Sequence, residues 1–173
     1  MGGAFPVGPV ILGYLRLGGP THGYQLLARI HRDLSGVWRV APSQLYATLA
    51  RLENEGLVRG TREEQENRPA RTRYALTERG EALFWQWVHT PVPRVRLLRS
   101  ELLPKIFFLQ KLAPERLPEL LALQKDALLA LKTKVAAERP ADPFQEVLRN
   151  FRLAQLSAGL QWIETLLAEQ EVA

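Results

Sequence analysis

The chain has 173 residues, of which 46% are hydrophobic and 24% charged, a balance typical of a soluble globular protein with one or two small domains and not of a disordered chain. It contains no cysteine, which excludes disulfides, thiol catalysis and cysteine-ligated zinc, and no apolar run approaches the ~18 residues of a membrane span. Because the start of the chain also lacks a signal-peptide pattern, we expect a cytoplasmic protein without a membrane partner. A net charge of +5 permits binding to nucleic acid but does not establish it.

The basic residues are unevenly distributed. Residues 1–90 contain 11 arginines and no lysine, and the first lysine is Lys105. Arginine can bind a phosphate group through two parallel hydrogen bonds. The same bias also follows from codon usage in a GC-rich genome, so it does not decide the function by itself.

Short elements separated by turn residues fill the first half. The pattern predicts a first helix near residues 9–17 and a second over about residues 22–34, with Thr21 as the N-cap of the second. A third helix begins at Pro42 or Ser43, since proline suits a first helical turn and serine suits a cap.

The third helix lies in the most informative segment, SQLYATLARLENEGLV, which spans residues 43–58. Leu45, Leu49 and Leu52 recur at i, i+4 and i+7 and therefore share one face. Gly56 follows the helix, where a left-handed backbone conformation is easiest for glycine. The opposite face carries the small and polar residues Ser43, Ala47, Ala50 and Asn54. A helix with such a face can approach a DNA major groove closely.

Two strand-forming segments follow, at residues 57–62 and 71–76, and a polar tip lies between them. They predict a β-hairpin in which Arg71 and Arg73 project from one face of the second strand. Thr77 then caps a fourth helix. Three helices followed by a hairpin predict a mainly α fold of the winged helix-turn-helix type, with the hairpin as the wing.

Pro91 and Pro93 interrupt the pattern, so we place a domain boundary after residue 90. Residues 1–90 are predicted to form the winged helix-turn-helix domain and residues 91–173 a helical dimerisation domain. Three helices are expected in this second domain. In the first of them Pro104 either kinks the helix or marks its true start.

The other two helices are expected between residues 114 and 140 and from Asp142 to near the end of the chain. The last one is apolar on two nearly opposite sides, so both sides must be covered. Its own domain can cover one side and a second subunit most simply covers the other, although a larger bundle within the chain is the alternative. The predicted interface of the homodimer comprises Phe151, Leu156, Leu160, Trp162, Ile163 and Leu167.

The first turns of the third helix supply the candidate base contacts. Gln44 can pair with adenine through two hydrogen bonds, and Ala47 or the Thr48 methyl can contact a thymine methyl. Tyr46 either donates to a phosphate or is partly buried against the second helix. Arg51 contacts a phosphate or pairs with Glu55.

The wing supplies the candidate backbone contacts Arg68, Arg71 and Arg73. The other arm carries Glu63, Glu64 and Glu66, which DNA would repel. We therefore expect the second strand to face the DNA, and an ordinary solvated hairpin is the alternative.

An enzyme has no support in the sequence. The three histidines show no zinc-ligand spacing, and there is no nucleophile elbow, P-loop or Rossmann glycine pattern. We expect no catalytic residue, metal or cofactor. Trp85, Trp87 and Trp162 are core residues or the aromatic lining of a ligand cleft.

Three segments, GPTHGY at residues 19–24, the stretch at 43–58 and NRPARTRYALTERG at 67–80, together resemble the PadR family of bacterial transcriptional regulators. The resemblance covers about residues 9–90, and GLQWIE at 159–164 resembles the helical dimerisation domain of longer members. It implies a homodimer on an inverted-repeat operator, most often a repressor. It places DNA contacts at Tyr24, Ser43, Tyr46 and the stretch Arg68 to Arg73. Ala47 departs from the proline that many members have there.

The expected partners are double-stranded operator DNA and a second copy of the chain. The resemblance adds small aromatic or hydrophobic effectors, which some branches of the family bind, but no motif assigns residues to one. Two other functions fit the same elements: a winged-helix module that binds protein without DNA, and a ligand-binding dimer whose DNA role is secondary.

Overall fold

The structure is a computed structural model that describes residues 6–37, 39–65 and 68–172, without the side chains of 65, 68, 69, 171 and 172. The helices and strands are, in chain order, α1 (Val7–Gly18), β1 (Thr21–His22), α2 (Gly23–Leu34), α3 (Pro42–Asn54), β2 (Val58–Gln65), β3 (Arg68–Leu76), α4 (Glu78–His89), α5 (Leu103–Leu112), α6 (Leu117–Ala136) and α7 (Pro143–Val172). In this part of the chain no helix combines the length and the apolar character needed to cross a bilayer.

The predicted winged helix-turn-helix is confirmed. Leu45, Leu49 and Leu52 are buried on the inner face of α3, where they join Leu26 of α2 in the core. Pro42 is the first residue of α3, which resolves the choice between Pro42 and Ser43. Gly56 follows the helix with φ +68°, a conformation that other L-residues rarely adopt.

The sheet has three antiparallel strands in the order β1-β3-β2, and β1 was not predicted. Thr21 pairs with Tyr74 in this sheet, so the prediction that Thr21 caps α2 is wrong. His22 occupies the cap position, and its backbone N–H donates to Oε1 of Gln25 over 3.3 Å. Thr21 Oγ1 donates to the same oxygen over 2.7 Å. Pairing with β3 fixes Thr21 in an extended conformation, which suits its β-branched side chain.

A fully buried aromatic cluster joins α5 to the winged helix. The Phe108 ring lies edge-on to Tyr14 of α1 and to Phe84 of α4, with centroid distances of 5.3 and 5.4 Å. A 3₁₀ turn at Val95–Leu97 and a π-helical turn at Leu98–Leu102 precede α5. Pro104 stands in the first turn of α5, so it marks the start of the α-helix and does not kink one. The division of the chain at residue 90 stays a prediction.

Helices α6 and α7 pack along each other and bury one apolar side of α7 within the chain. Asp142 Oδ1 accepts a hydrogen bond of 2.9 Å from the backbone N–H of Gln145, which confirms Asp142 as the N-cap. The structure corrects the predicted dimer interface. Leu156, Leu160 and Ile163 are buried in the chain's own core, and Trp162 and Leu167 are half-buried against it.

Phe151 is the one member of the predicted interface set that is exposed, with 57% of its surface accessible. It shares its side of α7 with the exposed Phe144, Val147 and Leu148. These four residues, spaced i, i+3, i+4 and i+7, are called the α7 apolar face below. The sequence showed that α7 has two apolar sides, but only the packing of α6 shows which side remains uncovered.

Candidate DNA-binding surface

The first turn of α3 presents Ser43, Gln44 and Ala47 to solvent. The buried leucines on the opposite side hold the helix against α2, so these side chains project from a rigid support. A small residue at Ala47 beside the longer Gln44 leaves room for a base edge to approach the helix backbone. This is the surface that the sequence predicted for base contacts.

Thr48 and Arg51 lie toward α1 instead. The Thr48 hydroxyl donates to the Gln44 carbonyl oxygen over 2.7 Å, and its methyl group lies beside Gly8. Arg51 forms an i, i+4 ion pair of 2.9 Å with Glu55, the second of the two predicted roles. Because the Thr48 methyl group faces α1, the candidate base contacts at the exposed start of α3 are Ser43, Gln44 and Ala47. A phosphate contact of Arg51 stays a prediction.

A concavity of about 520 Å³ lies beside this turn, between the start of α2, α3 and the wing. Tyr24 and Tyr46 line it, and they are 49% and 47% exposed. Arg71 of the wing lines the same concavity, with its Cζ 5.4 Å from the centroid of the Tyr24 ring. Tyr24, Tyr46 and Arg71 thus face a single recess, where each can donate a hydrogen bond to a phosphate oxygen.

Gly23 explains the position of Tyr46, and sequence analysis did not single it out. A Cβ on Gly23 would lie only 2.6 Å from Cε1 of Tyr46, so the ring packs directly on the backbone at the start of α2. Partial burial against α2, one of the two alternatives for Tyr46, is therefore observed, while the rest of the ring stays exposed. The contact of its hydroxyl with a phosphate stays a prediction. In the sequence, the feature that could have indicated this close packing was the glycine within the GPTHGY segment.

Tyr74 of β3 also lines the recess and is half-buried. Burial raises the pKa of its phenol, and the nearby Glu53 carboxylate raises it further. Tyr74 therefore remains a neutral hydrogen-bond donor at physiological pH.

The wing arginines differ in their surroundings. Arg73 pairs with Glu63 across the hairpin at 3.6 Å, and its Nε donates to the Pro20 carbonyl oxygen over 3.4 Å. His22 Nε2 lies 3.6 Å from the other carboxylate oxygen of Glu63. Arg71 has no ion pair among the described residues. The Arg68 backbone lies in β3, but its side chain is outside the described residues.

The comparison with known proteins covers this surface. Residues 11–86 match the transcriptional regulator PadR-like family, and this range includes the first turn of α3, the recess and both strands of the wing. The segment is called the PadR-like domain below.

Two relatives and one solved structure are similar to this chain over different shares of its length. A probable transcriptional regulator of Mycobacterium tuberculosis is 33% identical over 76 residues, which are 44% of this chain and 40% of that protein. The negative transcriptional regulator PadR of Bacillus subtilis is 27% identical over 128 residues, or 73% of this chain and 67% of that one. The crystal structure of B. subtilis PadR in complex with operator DNA is 24% identical, covers 94% of this chain and 98% of its own, and has a TM-score of 0.47.

Proposed function

We propose that the chain is a sequence-specific DNA-binding transcriptional regulator, which acts in the cytoplasm as a homodimeric repressor on an inverted-repeat operator. One observation carries the proposal: the exposed first turn of α3 adjoins the recess lined by Tyr24, Tyr46 and Arg71. The match of residues 11–86 to the PadR-like family supports it, and the B. subtilis relative is itself named a negative regulator.

In this proposal α3 enters the major groove and the recess holds the phosphate backbone. Gln44 forms two hydrogen bonds with an adenine edge, while Ser43 and Ala47 contact the neighbouring base pairs. Tyr24, Tyr46 and Arg71 bind phosphate oxygens on one strand and thereby set the register of α3. Arg73 supports the wing through Glu63 and contributes less to the phosphate contacts.

We assign the dimer contact to the α7 apolar face. Its four large side chains are exposed on one side of a helix whose other side is covered by the same chain. A second copy of α7 would bury them and bring two α3 helices to half-sites that lie about 34–36 Å apart, one turn of DNA. A small aromatic or hydrophobic effector would relieve repression by favouring a dimer whose α3 helices are wrongly spaced.

The proposal is tested by selecting duplexes that the chain binds from a random pool. Anisotropy titrations then measure its affinity for the selected DNA. We expect the affinity for the selected sequence to fall steeply as salt rises from about 50 to 200 mM and to exceed that for scrambled DNA by about a thousandfold or more. Binding that ignores sequence would contradict the proposal. No binding at low salt, with capture of a protein partner instead, would favour the protein-binding module.

A further inference from the structure

The segment between α4 and the 3₁₀ turn, residues 90–94, is called the linker below. Its sequence, Thr-Pro-Val-Pro-Arg, includes two prolines, which have no N–H group. Between Thr90 and Arg94 the only backbone N–H is therefore that of Val92. Such a segment cannot be fixed by strand pairing or by a helix, so other groups must hold it.

Gln124 of α6 holds the centre of the linker. Its Oε1 accepts a hydrogen bond of 2.7 Å from the Val92 N–H, and its Nε2 donates to the Val92 carbonyl oxygen over 3.1 Å. The side-chain amide thus satisfies both backbone groups of the residue between the prolines. Gln124 is 0% exposed and Val92 is 1% exposed, so water does not compete for these bonds.

Lys105 of α5 holds the start of the linker. Its Nζ donates to the Thr90 carbonyl oxygen over 2.6 Å, pairs with Glu101 at 3.0 Å and lies 5.1 Å from the centroid of the Trp87 ring. Lys105 is 1% exposed. Burying a cation is unfavourable unless it is paired, and an apolar side chain of similar size would fill this space at a lower cost even than a paired one. The retained charge therefore indicates a geometric role more than a stabilising one.

These contacts connect the linker to α5 and to α6. The linker leaves α4 of the PadR-like domain, while Lys105 and Gln124 come from the helices that lead to α7. In a dimer formed through the α7 apolar face, the linker and the packing of Phe108 against Tyr14 and Phe84 together set where each α3 helix lies relative to its partner. Two α3 helices bind one operator together only when their separation matches that of the half-sites.

We propose that Lys105 and Gln124 are positioning residues that set the half-site spacing the dimer accepts, by fixing the linker between the PadR-like domain and the α6–α7 pair. The proposal rests on the proposed function, since it requires a dimer that binds two half-sites. Neither residue touches DNA. Their effect acts through the position of α3.

The first test uses the unmodified full chain. The Val92 amide is expected to exchange with solvent at least about tenfold more slowly than an unprotected amide, although it lies outside every helix and strand. Exchange at the unprotected rate would show that Gln124 does not hold the linker in solution and would overturn the proposal. This measurement does not depend on a variant that folds or on DNA binding.

The second test compares Gln124→Leu and Lys105→Met with the matched controls Gln110→Leu and Lys134→Met, which change exposed residues on the same two helices. The probes are duplexes recovered by selection with the unmodified chain, prepared with one half-site, with both, and with five base pairs inserted between them. For the unmodified chain and the controls, the insertion should weaken binding by about tenfold or more. For Gln124→Leu and Lys105→Met, the insertion should weaken binding by only about twofold, or the spacing between half-sites that gives the tightest binding should change. The affinity of these two variants for the duplex with one half-site should equal that of the unmodified chain.

A spin label reports the same geometry without DNA. The chain has no cysteine, so Glu78→Cys, at an exposed position of α4, gives one label per protomer. The distance distribution between the labels should be narrow in the unmodified dimer and broader or shifted in Gln124→Leu. If folded Gln124→Leu keeps both the label-to-label distance distribution and the spacing preference of the unmodified chain, the proposal is overturned. If the unmodified chain is a monomer or does not bind a single half-site, the proposed function is refuted instead.

Discussion

The guanidinium carbon of Arg71 lies 5.4 Å from the centroid of the Tyr24 ring, which connects the wing to the start of α2. The His22 ring stacks on the same tyrosine, with an interplanar angle of 10° and a centroid distance of 5.8 Å. A cation–π contact at an exposed site contributes about 0.5–1 kcal/mol. That is enough to favour one arrangement of Tyr24 and Arg71 before DNA arrives, so less side-chain entropy is lost on binding.

Arg71→Ala is expected to weaken binding to specific and scrambled DNA alike, because the proposed function assigns Arg71 to a phosphate and not to a base. The slope of log affinity against log salt should decrease by about 1. Arg73→Ala should change the slope less, since Arg73 is already paired with Glu63. Anisotropy titrations at several salt concentrations measure the slope for both variants. A larger decrease in slope for Arg73→Ala than for Arg71→Ala would contradict the assignment of Arg71 to a phosphate.

Gln44→Ala is expected to relax specificity at one base pair while leaving binding to scrambled DNA unchanged. The loss of a two-bonded contact to a base should reduce discrimination at that position by about 1–3 kcal/mol. Competition against a panel of single-base variants of the selected duplex measures this. Asn54→Ala, an exposed residue at the other end of α3, is the control and should leave every base preference intact.

Gly23→Ala is expected to reduce DNA affinity with little loss of stability. The added Cβ would lie 2.6 Å from Tyr46 Cε1, so the tyrosine must leave its position in the recess. Losing one hydrogen bond to a charged phosphate should cost about tenfold in affinity. Gly36→Ala is the matched control, because its added Cβ meets nothing within 4 Å. Equal affinity of the two variants would show that Tyr46 does not contact DNA.

Asp33 is expected to contribute stability that is lost in acid. The hydrogen bond from Arg32 is the largest cause that lowers the pKa of this carboxyl, and the Tyr14 hydroxyl also donates to it over 3.2 Å. A carboxyl whose pKa is lower in the folded chain stabilises it above the unfolded value of about 3.9, and the effect disappears as pH falls through the folded value. Asp33→Asn should therefore lower the free energy of unfolding by about 1 kcal/mol at pH 7 and less at pH 3.

Urea unfolding of Asp33→Asn at the two pH values measures this difference. Asp126→Asn, on the exposed side of α6, serves as the control for the loss of one surface carboxylate. A constant difference between Asp33→Asn and the unmodified chain across the acid range would show that the carboxyl pKa is not lowered by folding.

Phe151→Glu is expected to separate the dimer into folded monomers of about 19.6 kDa. A carboxylate placed in the α7 apolar face would be buried without a partner if the two copies met there. Leu129→Glu changes a residue on α6 that is 42% exposed and should leave the dimer intact. Sedimentation velocity distinguishes the two, and a Phe151→Glu dimer would place the interface elsewhere.

Local patterns were sufficient for the winged helix-turn-helix. The spacing of Leu45, Leu49 and Leu52 and the position of Gly56 depend only on helix geometry and on the backbone preference of glycine, and both predictions are confirmed. Thr77 also caps α4 as predicted, since its hydroxyl accepts from the Gly80 N–H over 3.1 Å. Each of these features involves residues within about two turns of one another.

Long-range pairing accounts for what the sequence did not show. Thr21 has the composition of a cap, but it pairs with Tyr74, which lies 53 residues later in the chain. Arg73 appeared equivalent to Arg71 by alternation along a strand, and the approach of Glu63 and Pro20 distinguishes them. The contacts of Gln124 and Lys105 with the linker are also long-range. No local sequence pattern relates residue 92 to residue 124, or residue 90 to residue 105.

The sequence by itself determined that α7 has two apolar sides, since that follows from the fixed 100° rotation per residue. Only the tertiary structure decided that Leu156, Leu160 and Ile163 face the same chain and that the side with Phe151 stays open. The reason is physical. Periodicity specifies which side chains share a side of a helix. Which neighbour covers them depends on how α7 packs back along α6, and that packing is set by contacts over the whole chain.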